Sequence, residues 1–168
     1  MKQVTKTRWL TISFLRNMSI GVAFCAGYYF IVGFFWGALS DNIFEATDFL
    51  ERVVGGVIIG LIFGCILGIV FASTASILTS LVTYAFRKKL SPQKGMILGF
   101  VLGTLSCIAI IIIYFLSIPF YFQDLVLDAS HLGGFMLVFG IPALLVSLGV
   151  AIANKKMLQD YEIKESLN

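Results

Sequence analysis

Four runs without a charged side chain organise the chain, at residues 17–40, 53–86, 95–123 and 129–154. Each reaches or exceeds the roughly 20 residues that carry an α-helix across about 30 Å of hydrocarbon. The runs are continuously apolar rather than alternating, and a backbone in lipid must satisfy its own hydrogen bonds, so the pattern predicts helices and not strands. The expected fold is an all-α, polytopic integral membrane four-helix bundle forming a single domain over residues 1–168. Its spans are placed at about 17–40, 53–86, 95–118 and 131–154, with interfacial segments at about 41–52 and 119–130.

A basic N-terminus followed by an apolar run also suits a signal peptide. The 24 residues from Asn17 to Ser40 are too many for an h-region of about 7–15, and the run reads as a span. Orientation follows from the positive charges. Eleven of the twelve basic residues lie in the N-terminal tail (Lys2, Lys6, Arg8, Arg16), the second loop (Arg87, Lys88, Lys89, Lys94) and the C-terminal tail (Lys155, Lys156, Lys164). Only Arg52 lies in the other loops, among Asp41, Glu45, Asp48, Glu51, Asp124 and Asp128. Both termini are therefore expected in the cytoplasm of a prokaryotic plasma (inner) membrane. Ser91 before Pro92 reads as a helix N-cap with proline at the first helical position, and Asp48 with Glu51 as a capping box.

A ladder of small residues at spacing four runs through the second span: Gly56, Gly60, Gly64, Gly68, Ala72, Ser76 and Ser80. The third span repeats it as Gly95, Gly99, Gly103 and Cys107. In lipid, where burial of apolar surface drives nothing, such stripes let two backbones approach closely. If the two spans fold back about the Arg87–Lys88 turn, Ser80 meets Gly95, Ser76 meets Gly99, Ala72 meets Gly103 and Gly68 meets Cys107, a glycine-zipper hairpin at the centre of the bundle. Gly56 and Gly60 are left for Gly33 and Gly37 of the first span. A period of four drifts by about 40° per step against 3.6 residues per turn, which favours two successive partners over one. The hydroxyls of Ser73, Thr74, Ser76, Thr79, Ser80 and Thr83 are expected to bond carbonyls one turn back.

Composition removes several function classes. Fifty-nine per cent of the residues are hydrophobic and 12% charged, against about 45–50% and 25% in soluble domains. Cys25, Cys65 and Cys107 lie within apolar runs, with neither a CxxC pair nor a Cys/His cluster, so no metal site is expected. The formal net charge of +3 follows from topology and gives no support for a nucleic-acid partner. The single histidine, His131, is a weak candidate for binding a cofactor metal and reads more simply as a solvated cap; no cofactor is expected. Pro142, after Gly140, frees the carbonyl of Val138 and marks a kink or hinge in the fourth span. No span carries an ionisable group at its centre, where transporters commonly keep one, and no nucleophile has a base in motif context. The reading is a non-catalytic accessory or scaffold subunit of a larger membrane complex. Its partners are membrane lipids and other integral subunits or copies of itself. The alternative is a component of a small-solute transporter or channel, and an enzyme would need His131 brought to Asp124 or Asp128.

Overall fold

The computed structural model describes residues 6–39, 49–117 and 133–166. They form α1 (Lys6–Leu39), α2 (Phe49–Phe86), α3 (Pro92–Leu116) and α4 (Ile141–Ser166), with one π-helical turn, Met136–Gly140, leading into α4. All four helices are long and apolar enough to cross a membrane, the fourth candidate span running Gly133–Glu162. The helices outrun the charge-free stretches. α1 begins at Lys6 and takes in Arg8 and Arg16, because Lys and Arg are good helix formers whose long stems let a helix continue past the hydrocarbon. α2, at 38 residues, is about 57 Å long at 1.5 Å per residue.

Asp48, the proposed interfacial stretches 41–48 and 119–130, and His131 with Asp124 and Asp128 lie outside the described residues. Residues 49–52, assigned to an interfacial segment by the sequence, belong to α2. The α3 start follows its sequence signal. Lys94 N–H donates to Ser91 Oγ at 3.4 Å and Gly95 N–H to the Ser91 carbonyl at 2.9 Å.

The tightest packing joins α1 to α2, antiparallel, along their length. A methyl group placed on Gly56 would lie 3.0 Å from Gly37 Cα, on Gly60 3.2 Å from Gly33 Cα, on Gly64 2.8 Å from Tyr29 Cβ and on Gly68 3.1 Å from Cys25 Cβ. At Gly21 it would lie 2.8 Å from Ala72 Cβ. The series ends where the Ser80 hydroxyl donates to Ser13 Oγ at 2.9 Å. Residue numbers add to 93 in each of these pairs, a single register held from one end of the helices to the other.

Two sequence expectations are corrected here. The α2 ladder does not turn from one partner to another, and it does not face α3. The buried residues of α1 are Trp9, Ser13, Asn17, Gly21, Cys25, Tyr29, Gly33 and Gly37, one at every fourth position. Two helices with the same four-residue period absorb its drift by winding about one another. A period longer than 3.6 gives that winding a right hand.

The α3 stripe packs on α4 instead. A methyl on Gly99 would lie 3.1 Å from Ala151 Cα, and one on Gly103 3.1 Å from Ser147 Cα; Leu158 crowds Gly95, and Cys107 Sγ is 4.0 Å from Ser147 Oγ. Thus Ser80 does not meet Gly95, nor Ser76 Gly99, nor Ala72 Gly103, nor Gly68 Cys107. The bundle consists of two tight helix pairs, α1 with α2 and α3 with α4.

The pairs join through an apolar middle layer: Cys25, Tyr29, Phe71, Ala72, Ala75, Cys107, Ala143, Val146 and Val150. Val146 Cγ1 would lie 3.3 Å, and Val150 Cγ2 3.5 Å, from a methyl on Gly21. Outward faces carry Ile62, Ile66, Ile69, Phe35 and Trp36, all more than half exposed, as suits surfaces solvated by lipid tails. Lys6, Arg8, Arg16, Arg87, Lys88, Lys89, Lys94, Lys155 and Lys156 all lie toward one end of the helices, called the basic end below.

Candidate functional site

Toward the basic end the core changes character. Just past the middle layer, Gly21 of α1, Ala72 of α2 and Val150 of α4 meet. One helical turn on from each, about 6 Å along the axis, stand Asn17, Ser76 and Asn154. Thr79 and Thr83 continue along α2, and Ser13 along α1. All of these side chains are fully buried, with 0% exposure.

Some of their groups are paired. Asn17 Nδ2 donates to Ser80 Oγ at 3.4 Å, and Asn154 Nδ2 donates to the Gly95 carbonyl at 2.7 Å. Five of the oxygens of this group find no partner among the described residues: Asn17 Oδ1, Ser76 Oγ, Thr79 Oγ1, Thr83 Oγ1 and Asn154 Oδ1; Thr104 Oγ1 of α3 is likewise without one. The expected backbone bonds form only for Ser73, to the Val70 carbonyl, and for Thr74, to Val70 and Phe71. Ser80 turns to Ser13, while Ser76, Thr79 and Thr83 do not bond back, a correction to the sequence reading. These four residues face into the bundle, where helix neighbours determine which way a hydroxyl points.

Buried polar groups in folded proteins are ordinarily hydrogen-bonded, and one left without a partner costs about 1–3 kcal/mol. These oxygens line the junction between the two helix pairs. The oxygens come from both sides of that junction: Asn17, Ser76, Thr79 and Thr83 from the first pair, Asn154 from the second.

Both ends of this polar seam are closed. Toward the middle stand Phe71, Val146 and Val150, all fully buried. Toward the basic end stand Leu158 on Gly95, Met157, and Trp9, whose ring lies 5.4 Å from that of Tyr84. Outside these, Arg16 Nη1 pairs with Asp160 Oδ2 at 2.8 Å, tying α1 to α4 across the junction. Arg87 stacks on Tyr84 at the same rim, its guanidinium carbon 3.9 Å from the centre of the ring.

Beyond the middle layer, at the opposite end from the basic residues, lies the second unusual feature. Pro142 has no N–H for the Val138 carbonyl. The chain answers with the π-helical turn, in which Ile141 N–H reaches back to the Met136 carbonyl, and with two tyrosines of α1. Tyr28 Oη donates to the Leu137 carbonyl at 2.8 Å, and Tyr29 Oη donates to the Val138 carbonyl. The Gly140–Pro142 break is therefore pinned to the first helix pair.

Of the residues singled out by sequence, Gly33, Gly37, Gly56, Gly60, Gly64, Gly68, Ala72 and Ser80 come together on the α1–α2 contact, and Gly95, Gly99, Gly103 and Cys107 on the α3–α4 contact. Ser76 lines the seam. Asn17 and Asn154 were not predicted. Their only mark in the sequence is a carboxamide at the basic end of a charge-free run, Asn17 beside Arg16 and Asn154 beside Lys155. Cys25, Cys65 and Cys107 are free thiols. No group of three His, Cys, Asp or Glu side chains suited to a metal occurs among the described residues. Comparison of the chain with protein-family models, with curated proteins and with solved structures returned no match.

Proposed function

We propose that this chain is a non-catalytic accessory or scaffold subunit of a larger membrane protein complex, seated in a prokaryotic plasma membrane. Both termini and the Arg87–Lys89 turn lie in its cytoplasm, an orientation supported by the gathering of basic residues at one end. The observation that carries the reading is on the outward face of α1. Ser19, Ala23 and Gly27 stand exposed at spacing four. A methyl on Gly27 would meet nothing within 4 Å, whereas Gly21, Gly33 and Gly37 of α1 and the ladder glycines of α2 and α3 are packed against a neighbouring helix. The stripe repeats the device that joins α1 to α2, and it fits a helix of another integral subunit that carries small residues of its own.

Gly27→Leu tests this. The substitution is expected to leave the thermal stability of the isolated protein within about 0.5 kcal/mol, as for an exposed site. It should also abolish the mass of a bound partner in native mass spectrometry after mild detergent extraction. Wild-type protein that flies only as a lone protomer under every extraction condition would reject the proposal, and a homodimer sensitive to Gly27→Leu would make the partner a second copy.

The unpartnered oxygens favour a second reading, in which the bundle is a component of a small-solute path. It requires water-borne molecules to reach position 79 from the basic end, and a core dry at that position rejects it.

A further inference from the structure

We propose, resting on the second reading, that the seam between the two helix pairs is a binding site for a small uncharged solute rich in O–H or N–H donors, entered from the basic end past the Arg16–Asp160 pair. The free groups define the class. Two are carboxamide oxygens, which only accept, and three are hydroxyls, which do both. The two amide nitrogens already face protein acceptors, Asn17 toward Ser80 and Asn154 toward Gly95. What remains unmet is chiefly acceptor capacity, which a polyol-like or amide-like molecule satisfies with its donors.

Ions fit poorly. No charged side chain is among the seam residues Ser13, Asn17, Ser76, Thr79, Ser80, Thr83 and Asn154, so an anion finds no cation and a divalent cation no carboxylate. A monovalent cation would have to pass the basic end, which carries Arg16, Arg87, Lys94, Lys155 and Lys156 with Asp160 and Glu162 beside them.

The architecture also offers a way in. Within each pair, backbones touch through glycines along the helices, and between the pairs Gly149 brings α4 against the Ile20 carbonyl and Gly21 Cα at the middle layer, so the pairs are held there and not at the basic end. Across the junction at the basic end stand Leu158, Met157, Trp9 and one ion pair whose side chains are 26% and 51% exposed. An exposed pair of this kind is weak. Separation of the pairs at that end exposes all five oxygens, while Phe71, Val146 and Val150 keep the middle shut.

The test uses the full-length chain with Cys25, Cys65 and Cys107 replaced by alanine. A single cysteine is introduced at Thr79→Cys or Thr83→Cys, with Ala75→Cys as a middle-layer control and Lys88→Cys as an exposed one. Hydroxyethyl, trimethylammonium-ethyl and sulfonatoethyl methanethiosulfonates are applied to inside-out vesicles, each rate being normalised to that of the same reagent with a small thiol in water.

The uncharged reagent is expected to modify the Thr79→Cys and Thr83→Cys variants at least about tenfold faster than either charged one, with the Ala75→Cys variant unmodified. Adding Arg16→Gln should accelerate modification of the Thr79→Cys thiol. Modification of that thiol by the cationic or anionic reagent as fast as by the neutral one would overturn the uncharged-solute inference and leave the path reading standing. Protection of the Thr79→Cys thiol from all three reagents, while the Lys88→Cys variant reacts, would overturn both. Thr79→Val adds an independent check, since it removes a buried oxygen that has no protein partner among the described residues. Its melting temperature in the absence of solute is expected to rise, and a fall would mean that the hydroxyl is already satisfied within the bundle and would overturn the site.

Discussion

Gly60→Leu is expected to destroy the α1–α2 pair. A side chain at this position runs into the Tyr29 carbonyl and would lie 3.2 Å from Gly33 Cα at its first carbon alone. The obstruction is backbone on the far helix, so no rotamer of a neighbour relieves it. Overpacking in cores that can adjust costs about 1–3 kcal/mol. Here the helices must move apart over several turns, and every close contact in the shared register suffers with the first. The loss is expected at or above the top of that range, about 3 kcal/mol or more. It should be read as a drop in melting temperature in detergent. Gly27→Leu, the same chemical change on α1 where nothing lies within 4 Å, provides the comparison. If both variants melt alike, the close backbone contact contributes nothing particular and the two-pair architecture is wrong.

This architecture was half legible in the sequence. The number of spans follows from the lengths of four apolar runs, and the start of α3 from Ser91 and Pro92, because these signals are local. The choice of partners is not local. A stripe of small residues shows that a helix has a face built for close approach, without naming the helix that approaches. The hairpin of α2 with α3 followed from chain proximity, and it failed because α1 offers a longer complementary face. That face escapes a search for glycines, since it mixes Trp9, Ser13, Asn17, Cys25 and Tyr29 with Gly21, Gly33 and Gly37. What its members share is the spacing. The polar seam was hidden for a related reason. Asn17 opens the first charge-free run and Asn154 closes the last, and at run ends an amide reads as a group facing water. Only the continuation of α1 back to Lys6 and of α4 on to Ser166 places both amides inside the bundle. The Val138 carbonyl lies between these extremes: Pro142 announces that it is unpaired, but nothing in the sequence says that Tyr29 will supply the donor.

That last contact supports a prediction with its own internal control. Tyr29→Phe removes the hydroxyl that reaches the Val138 carbonyl and leaves the ring in place, 5.2 Å from Phe63 and 5.2 Å from Tyr28. The carbonyl is then short of a donor in the low-dielectric part of the bundle, at a cost of about 1–3 kcal/mol. Pro142→Ala should reverse most of this, because an alanine at 142 restores the N–H that a regular helix directs at the carbonyl four residues earlier. The two substitutions are therefore expected to be coupled, with Tyr29→Phe costing markedly less in the Pro142→Ala background than in the native one. Since the π-helical turn exists to accommodate the proline, the double variant should also lose the Ile141 to Met136 hydrogen bond in favour of regular α-helical pairing. Amide exchange at Ile141 and residue 142 reads this directly. Strictly additive stabilities in the four-protein cycle would mean that Tyr29 holds α4 through its ring alone, and the pin between the helix pairs would reduce to ordinary packing.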